Sequence, residues 1–247
     1  MDKKMFCFQC EQTVGCTGCT GNAGVCGKKA DTAKLQDELT GALISLAKAA
    51  DSTETISKRT GQIIIEGLFT TVTNVSFDNA AIENMIQKVR AEKERLVPDC
   101  RTEEYDLQQL WNANEDIRSL KSLILFGIRG MAAYAYHANV LNYEDAEVNQ
   151  FFCEALSKIG YEESTEALLS TVLKTGEINL KCMALLDKAN TETYGTPEPT
   201  DVTLTVEKGP FIVVTGHDLR DLQLLLEQTE GKGINIYTHG EMLPAHA

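Results

Sequence analysis

Five of the chain's eight cysteines fall within its first twenty-six residues, at Cys7, Cys10, Cys16, Cys19 and Cys26. Glycines at 15, 18, 21, 24 and 27 are interleaved with them, and no histidine lies nearby. Backbone this rich in glycine turns too freely for a regular helix, and clustered thiolates suit a soft metal centre that must be wrapped closely. Segment 1–30 therefore reads as a cysteine-rich cradle, and the rest of the chain as its housing.

Three chemistries compete for the cradle. A disulfide knot is disfavoured, because five cysteines leave one unpaired and Met1-Asp2-Lys3-Lys4 enters the motif with no apolar secretory segment. The cytoplasm, the expected location, would also keep such thiols reduced. Zinc competes, since Cys7-x2-Cys10 is a normal zinc half-site, although its usual companion is a second short pair or two histidines. Eight residues separate Cys10 from Cys19 and six separate Cys19 from Cys26, arms better suited to a cuboidal cluster than to one tetrahedral ion. Spacing favours iron–sulfur and leaves zinc open.

Composition bounds the remainder. With 43% hydrophobic and 24% charged residues the chain has the balance of a soluble globular protein, enough for one large core or two ordinary ones. No apolar run approaches the roughly 20 residues of a membrane span, so no membrane partner is expected. A net charge of −13 argues against nucleic acid, which needs a basic face. Lys3, Lys4, Lys28 and Lys29 flank the cradle, either offsetting the charge of thiolates and cluster or simply solvated.

Beyond the cradle the apolar spacing is helical for a long way. Residues 31–98 read as a three-helix bundle. Asp31 or Thr32 caps its first helix, which runs to about 50; the second spans about 54–74; Asp78 caps the third, stopped by Pro98. Residues 99–192 read as a second helical bundle, with a short helix or turn at 105–111 and a long helix at 116–140, apolar on nearly every face over 125–134. Helices at 144–159, 164–173 and 176–189 follow. Cys153 and Cys182 within them, and Cys100 in a loop, read as inert thiols, and His137 as a partly buried polar residue.

The pattern changes at 193. Residues 194–200 carry three chain breakers and read as a linker, 202–206 alternate like a strand, and 211–215 form a β-branched run typical of a buried parallel strand. A helix from Asp218 and a strand at 234–237 complete one βαβ unit in segment 193–247. The fold class expected is mainly α: two helical bundles followed by the start of a Rossmann-like α/β domain, an incomplete βαβ unit. His217 and Glu241 lie just beyond the two strands, on the edge where open α/β sheets bind ligands, so they are expected to converge. Taken without further context, a helix-cap neighbour for His217 and a solvated loop acid for Glu241 are the favoured readings.

The motif text resembles the N-terminal portion of the hybrid cluster proteins, also called prismane proteins or hydroxylamine reductases. The resemblance rests on Met5-Phe6-Cys7-Phe8-Gln9-Cys10-Glu11-Gln12-Thr13, Thr17-Gly18-Cys19-Thr20, Gly24-Val25-Cys26-Gly27-Lys28 and Leu35-Gln36-Asp37. It returns in Gly216-His217-Asp218-Leu219-Arg220-Asp221-Leu222 and in Tyr237-Thr238-His239-Gly240-Glu241-Met242-Leu243-Pro244. It implies a 4Fe-4S cubane on Cys7, Cys10, Cys19 and Cys26. It also implies His217 and Glu241 as ligands of a hybrid iron–sulfur–oxygen cluster, whose other ligands come from later sequence in the family. Cys16 departs from the pattern and is expected to be spare. The activity implied is reduction of hydroxylamine to ammonia, with nitric oxide as another suggested substrate and an unidentified electron donor as partner. A two-stranded unit has too little core to stand alone, so the chain is expected to be part of a larger enzyme and inactive by itself. The competing expectation is a self-standing electron-transfer module without catalysis.

Overall fold

The computed structural model describes residues 5–10, 18–51, 55–72, 75–98, 104–161 and 164–247. Cys16 and Cys100 lie outside the described residues. The chain divides into two compact units, residues 1–136 with 144–183, and residues 137–143 with 184–247. The described part is mainly helical, with one small parallel sheet near the carboxyl end. Among the described residues no helix is long and apolar enough to cross a membrane.

In the first unit, α1 (Ala30–Ala50) starts one residue before the expected cap. Lys29 occupies the cap position without a side-chain bond, while Asp31 accepts the Thr32 N–H at 3.0 Å from inside the first turn. Asp31 at this end and Lys48 at the other both suit the helix dipole. Helix α2 (Lys58–Thr70) is shorter than expected because Ser57 caps it, accepting the Thr60 N–H at 3.1 Å. Helix α3 (Asn79–Leu96) opens on Asp78, whose carboxylate accepts from Ala80 and Ala81, as expected.

Buried Glu92 joins α2 to α3. It takes Arg95 Nη2 at 2.7 Å, Arg59 Nε at 3.0 Å and the Thr60 hydroxyl at 2.7 Å, and the Arg95 bond leads in holding it below the usual carboxylate range. A β-carbon on Gly67 would come within 2.8 Å of Leu43, so glycine lets α2 lie directly on α1.

After α4 (Gln108–Trp111) come α5 (Glu115–Val140) and α6 (Ala146–Gly160), capped by Asp145. Buried Lys121 donates to the carbonyls of Ile159 and Tyr161 at 2.8 and 2.7 Å, closing the carboxyl end of α6. The two helices expected at 164–173 and 176–189 are one, α7 (Thr165–Tyr194). Gly176 costs about 1 kcal/mol in a helix interior, but Leu168 before it and Ile178 and Cys182 after it are buried in the same core. Tertiary packing outweighs the local break. A single buried cluster gathers Leu43, Leu68, Ile86, Ile128, Phe152 and Ile178, burying together the apolar faces of helices on both sides of residues 99–103.

In the second unit α7 ends at Gly195 (φ +100°), and residues 195–210 have no regular structure. The strand expected at 202–206 does not form. Leu204 and Val206 are 93% and 80% exposed, and alternation alone cannot make a strand without a neighbour for its ladder bonds. Strands β1 (Phe211–Thr215) and β2 (Asn235–His239) pair in parallel, Phe211 opposite Asn235 and Thr215 opposite His239, with α8 (Leu219–Thr229) between them in sequence. Strand β1 is largely exposed rather than buried as its composition suggested, because the two strands form the whole sheet among the described residues. A 3-10 helix, Gly240–His246, closes the chain's last described stretch.

Candidate metal centres

The cradle is built on a short antiparallel bridge between Cys7 and Cys19. Each donates its backbone N–H to the other's carbonyl, at 3.0 and 2.8 Å, which sets these two buried cysteines side by side. Gly18 (φ +96°) makes this approach possible, since a β-carbon there would stand 2.9 Å from the Phe6 ring. A second bridge pairs Ala23 with Lys29, and between them Gly24 and Gly27 close a tight turn at 2.9 Å that carries Cys26. Cys10 and Cys26 are half-buried, and no disulfide joins any of the described cysteines. Phe6 and Phe8, flanking Cys7, pack edge-on against Trp111 at 5.9 and 5.7 Å and anchor the cradle to α4.

Beneath the thiols lies a charged, buried floor that the sequence did not advertise. Lys28 is 1% exposed and donates its ammonium to Gln9 Oε1 at 2.9 Å and to Gln36 Oε1. The amide of Gln9 donates onward to Asp37 at 3.0 Å, and that of Gln36 to the Ser76 carbonyl at 3.1 Å, so both glutamine oxygens are turned toward Lys28. Arg129, from the apolar stretch of α5, donates to the hydroxyls of Thr71 and Thr40 at 3.0 and 2.8 Å. Burial pushes the Asp37 carboxyl up to about 6 and draws the Arg129 guanidinium down to about 10. The Cys7 thiol is raised chiefly by burial, pulled back by Lys28 and raised again by Asp37.

Of this floor, sequence reasoning assigns a charge role only to Lys28, one flanking cation among four; Gln9, Gln36 and Asp37 stand out only as motif text. Arg129 had a legible signal: it is the one charged residue in the apolar stretch 125–134.

The donor chemistry fits an anionic thiolate-ligated cluster. Four reduced thiols share the segment, and a β-carbon on Gly24 would fill space 3.5 Å from Cys26 Sγ and 3.4 Å from Met5. Among the described residues two buried cations bond only to neutral oxygens, a costly arrangement unless negative charge is supplied nearby. Among the described residues no three of His, Cys, Asp or Glu stand close enough to hold a single ion. A cubane does not ask for that, because each thiolate binds its own iron.

A second constellation lies at the carboxyl edge of the sheet. The paired residues Thr215 and His239 are each followed by a glycine of positive φ, Gly216 (+134°) and Gly240 (+55°), and then by His217 and Glu241. A glycine of positive φ after each of two registered strands brings His217 Nε2 to 2.9 Å from Glu241 Oε2. Both side chains are open to solvent, at 68% and 66% exposure. The neighbouring Asp218 caps α8 by accepting the Asp221 N–H at 3.0 Å. It also faces His137 Nδ1 at 3.3 Å, the main reason its carboxyl sits below the usual range. Cys153 and Cys182 are buried within the first unit, with Sγ directed at the Ala47 and Met131 carbonyls at 3.6 and 3.5 Å.

Comparison with known proteins agrees with these motifs. The family model described as Prismane/CO dehydrogenase family matches residues 5–247. A hydroxylamine reductase of Thermodesulfovibrio yellowstonii is 47% identical, with 98% of this chain aligned to 50% of that protein. Hydroxylamine reductases of Porphyromonas gingivalis and Clostridium perfringens are 43% and 42% identical, over 100% and 98% of this chain and 50% and 49% of theirs. The chain thus spans about half the length of the curated relatives it matches. With cradle, sheet-edge motif and family model all falling in one register, the chain belongs to the Prismane/CO dehydrogenase family.

Proposed function

We propose that this chain is part of an iron–sulfur oxidoreductase that reduces hydroxylamine to ammonia. The observation that carries the reading is the meeting of His217 and Glu241 at 2.9 Å, because a plain electron-transfer module has no use for it. Cys7, Cys10, Cys19 and Cys26 would hold a 4Fe-4S cluster, and His217 and Glu241 would be two ligands of a hybrid iron–sulfur–oxygen cluster. Bound iron supplies the electron relay and the open coordination position that substrate needs. Reduction breaks the N–O bond of hydroxylamine, consumes two electrons and two protons, and yields ammonia and water. The electrons come from an external redox donor. The protein's own residues exclude water around Cys7 and Cys19 and pre-set the approach of imidazole and carboxylate. The reducing cytoplasm is the proposed location, since it keeps the cradle thiols free.

Anaerobic reconstitution with iron and sulfide tests the proposal. About four irons per chain are expected, the cubane count. Cys19→Ser should lose the visible absorbance and Cys16→Ser should retain it. With a strong artificial donor the 247-residue chain alone should reduce hydroxylamine negligibly, because an imidazole and one carboxylate are too few donors for a multi-iron centre. Supplied with the remaining length of a relative, it should bind more iron and turn over, and His217→Ala or Glu241→Ala should abolish that turnover. Zinc without iron, or robust turnover by the short chain, overturns the assignment. Iron binding with no reduction in the extended form points instead to electron transfer alone.

A further inference from the structure

The buried floor of the cradle is more highly charged than folding requires. Lys28 and Arg129 are both buried, and among the described residues each bonds only to neutral oxygens: two glutamine amides for Lys28, two threonine hydroxyls for Arg129. Among the described residues Asp37 is the carboxylate in electrostatic contact with both, and its hydrogen bond is to Gln9 rather than to either cation. Among the described residues, two cations against one carboxylate leave an excess of positive charge in a region shielded from water. Such an excess is unfavourable in isolation, yet the side chains that hold it are themselves fixed: Gln36 by the Ser76 carbonyl and Gln9 by Asp37. Both cations stand by the cysteines: Lys28 bonds Gln9, which lies between Cys7 and Cys10, and shares the space beside Gly24 with Cys26 Sγ, while Arg129 is in electrostatic contact with Cys7.

We infer that Lys28 and Arg129 are positioning residues that set the reduction potential of the thiolate-held cluster, with Asp37 as the opposing charge; this rests on the cubane reading proposed above. The physical step is simple. Reduction adds one negative charge to the cluster, and a fixed cation nearby favours the reduced form over the oxidised form. Removing either cation therefore lowers the potential, and removing the Asp37 charge raises it. Low local dielectric makes the effect large, because few water dipoles intervene to screen it. The glutamines do not supply charge; they hold the ammonium in place, so their loss should broaden or shift the transition less than loss of Lys28 itself.

The test uses the reconstituted chain at pH 8, above the value of about 6 to which burial raises the Asp37 carboxyl, with iron content measured before potentiometric titration of the visible absorbance. At the wild-type midpoint, Lys28→Met and Arg129→Met are each expected to cut the reduced-to-oxidised ratio at least tenfold, about 59 mV for a one-electron couple. Asp37→Asn should move the ratio the other way, and Arg129→Lys, which keeps the charge, should stay near wild type. Full iron content with all four variants at the wild-type potential overturns the inference and leaves the cubane reading intact. A wild-type chain that takes up no iron overturns the cubane reading itself. If Lys28→Met fails to load iron, the opposite shifts of Arg129→Met and Asp37→Asn support the inference, and their absence overturns it.

Discussion

His217 Nε2 lies 2.9 Å from Glu241 Oε2 because two parallel strands end in register and each is followed by a glycine of positive φ. The pair is held by backbone geometry rather than by burial. Loss of either side chain should therefore leave the fold intact: an exposed pair of this kind contributes about 0.2–1 kcal/mol. His217→Ala and Glu241→Ala are expected to unfold thermally within a degree or two of wild type and to keep the cradle's iron. A large loss of stability in either would mean that the pair is structural.

Thiol reactivity should divide the described cysteines into two classes. Burial pushes Cys153 and Cys182 up to about 12, and both sit inside the helical core. In the native metal-free chain at pH 8 they should resist iodoacetamide until unfolding, while the half-buried Cys10 and Cys26 are modified first. Peptide mass spectrometry reads this directly, and labelling of Cys153 as fast as Cys26 would contradict it.

The metal-free chain should carry an unusual pH signature from Asp37. Its carboxyl is raised from the usual 3.8 to about 6, so the folded state holds a proton that the unfolded state releases between those values. Stability from this group is present at low pH and falls as pH rises from about 4 to 6. Asp37→Asn should remove that slope and stabilise the metal-free chain at neutral pH. Glu92 and Asp218 act in the opposite sense: both are held low by their partners, so their contribution is present at neutral pH and lost as pH falls through their depressed values. Chemical denaturation at a series of pH values separates the two signs.

Gly41 tests the packing of α1. Alanine in a helix interior normally gains about 0.5–1 kcal/mol over glycine. Here the added β-carbon would lie 2.2 Å from the Tyr105 carbonyl oxygen, which is backbone and cannot swing aside. Gly41→Ala is expected to destabilise the chain by about 1–3 kcal/mol. Gly67→Ala, which meets only the movable end of Leu43, should cost less. Equal effects in urea denaturation would argue against this close approach.

Much of the architecture is readable from the sequence because it depends on neighbours in the chain. The caps at Asp78 and Asp218 bond N–H groups two or three residues ahead, and the β1, α8, β2 order follows from local apolar period and glycine placement. Cysteine spacing likewise marks a soft-metal cradle before any fold is known. Tertiary structure decided what depends on distant contacts. Residues 202–206 alternate correctly but find no strand to pair with, whereas α7 runs through Gly176 because Leu168, Ile178 and Cys182 are held in a shared core. Nothing local distinguishes Lys28 from Lys29, yet one is buried beneath the thiols and the other is exposed. The difference arises because Gln9, Gln36 and Asp37, brought together from cradle and helix, form a polar floor that only the folded chain assembles.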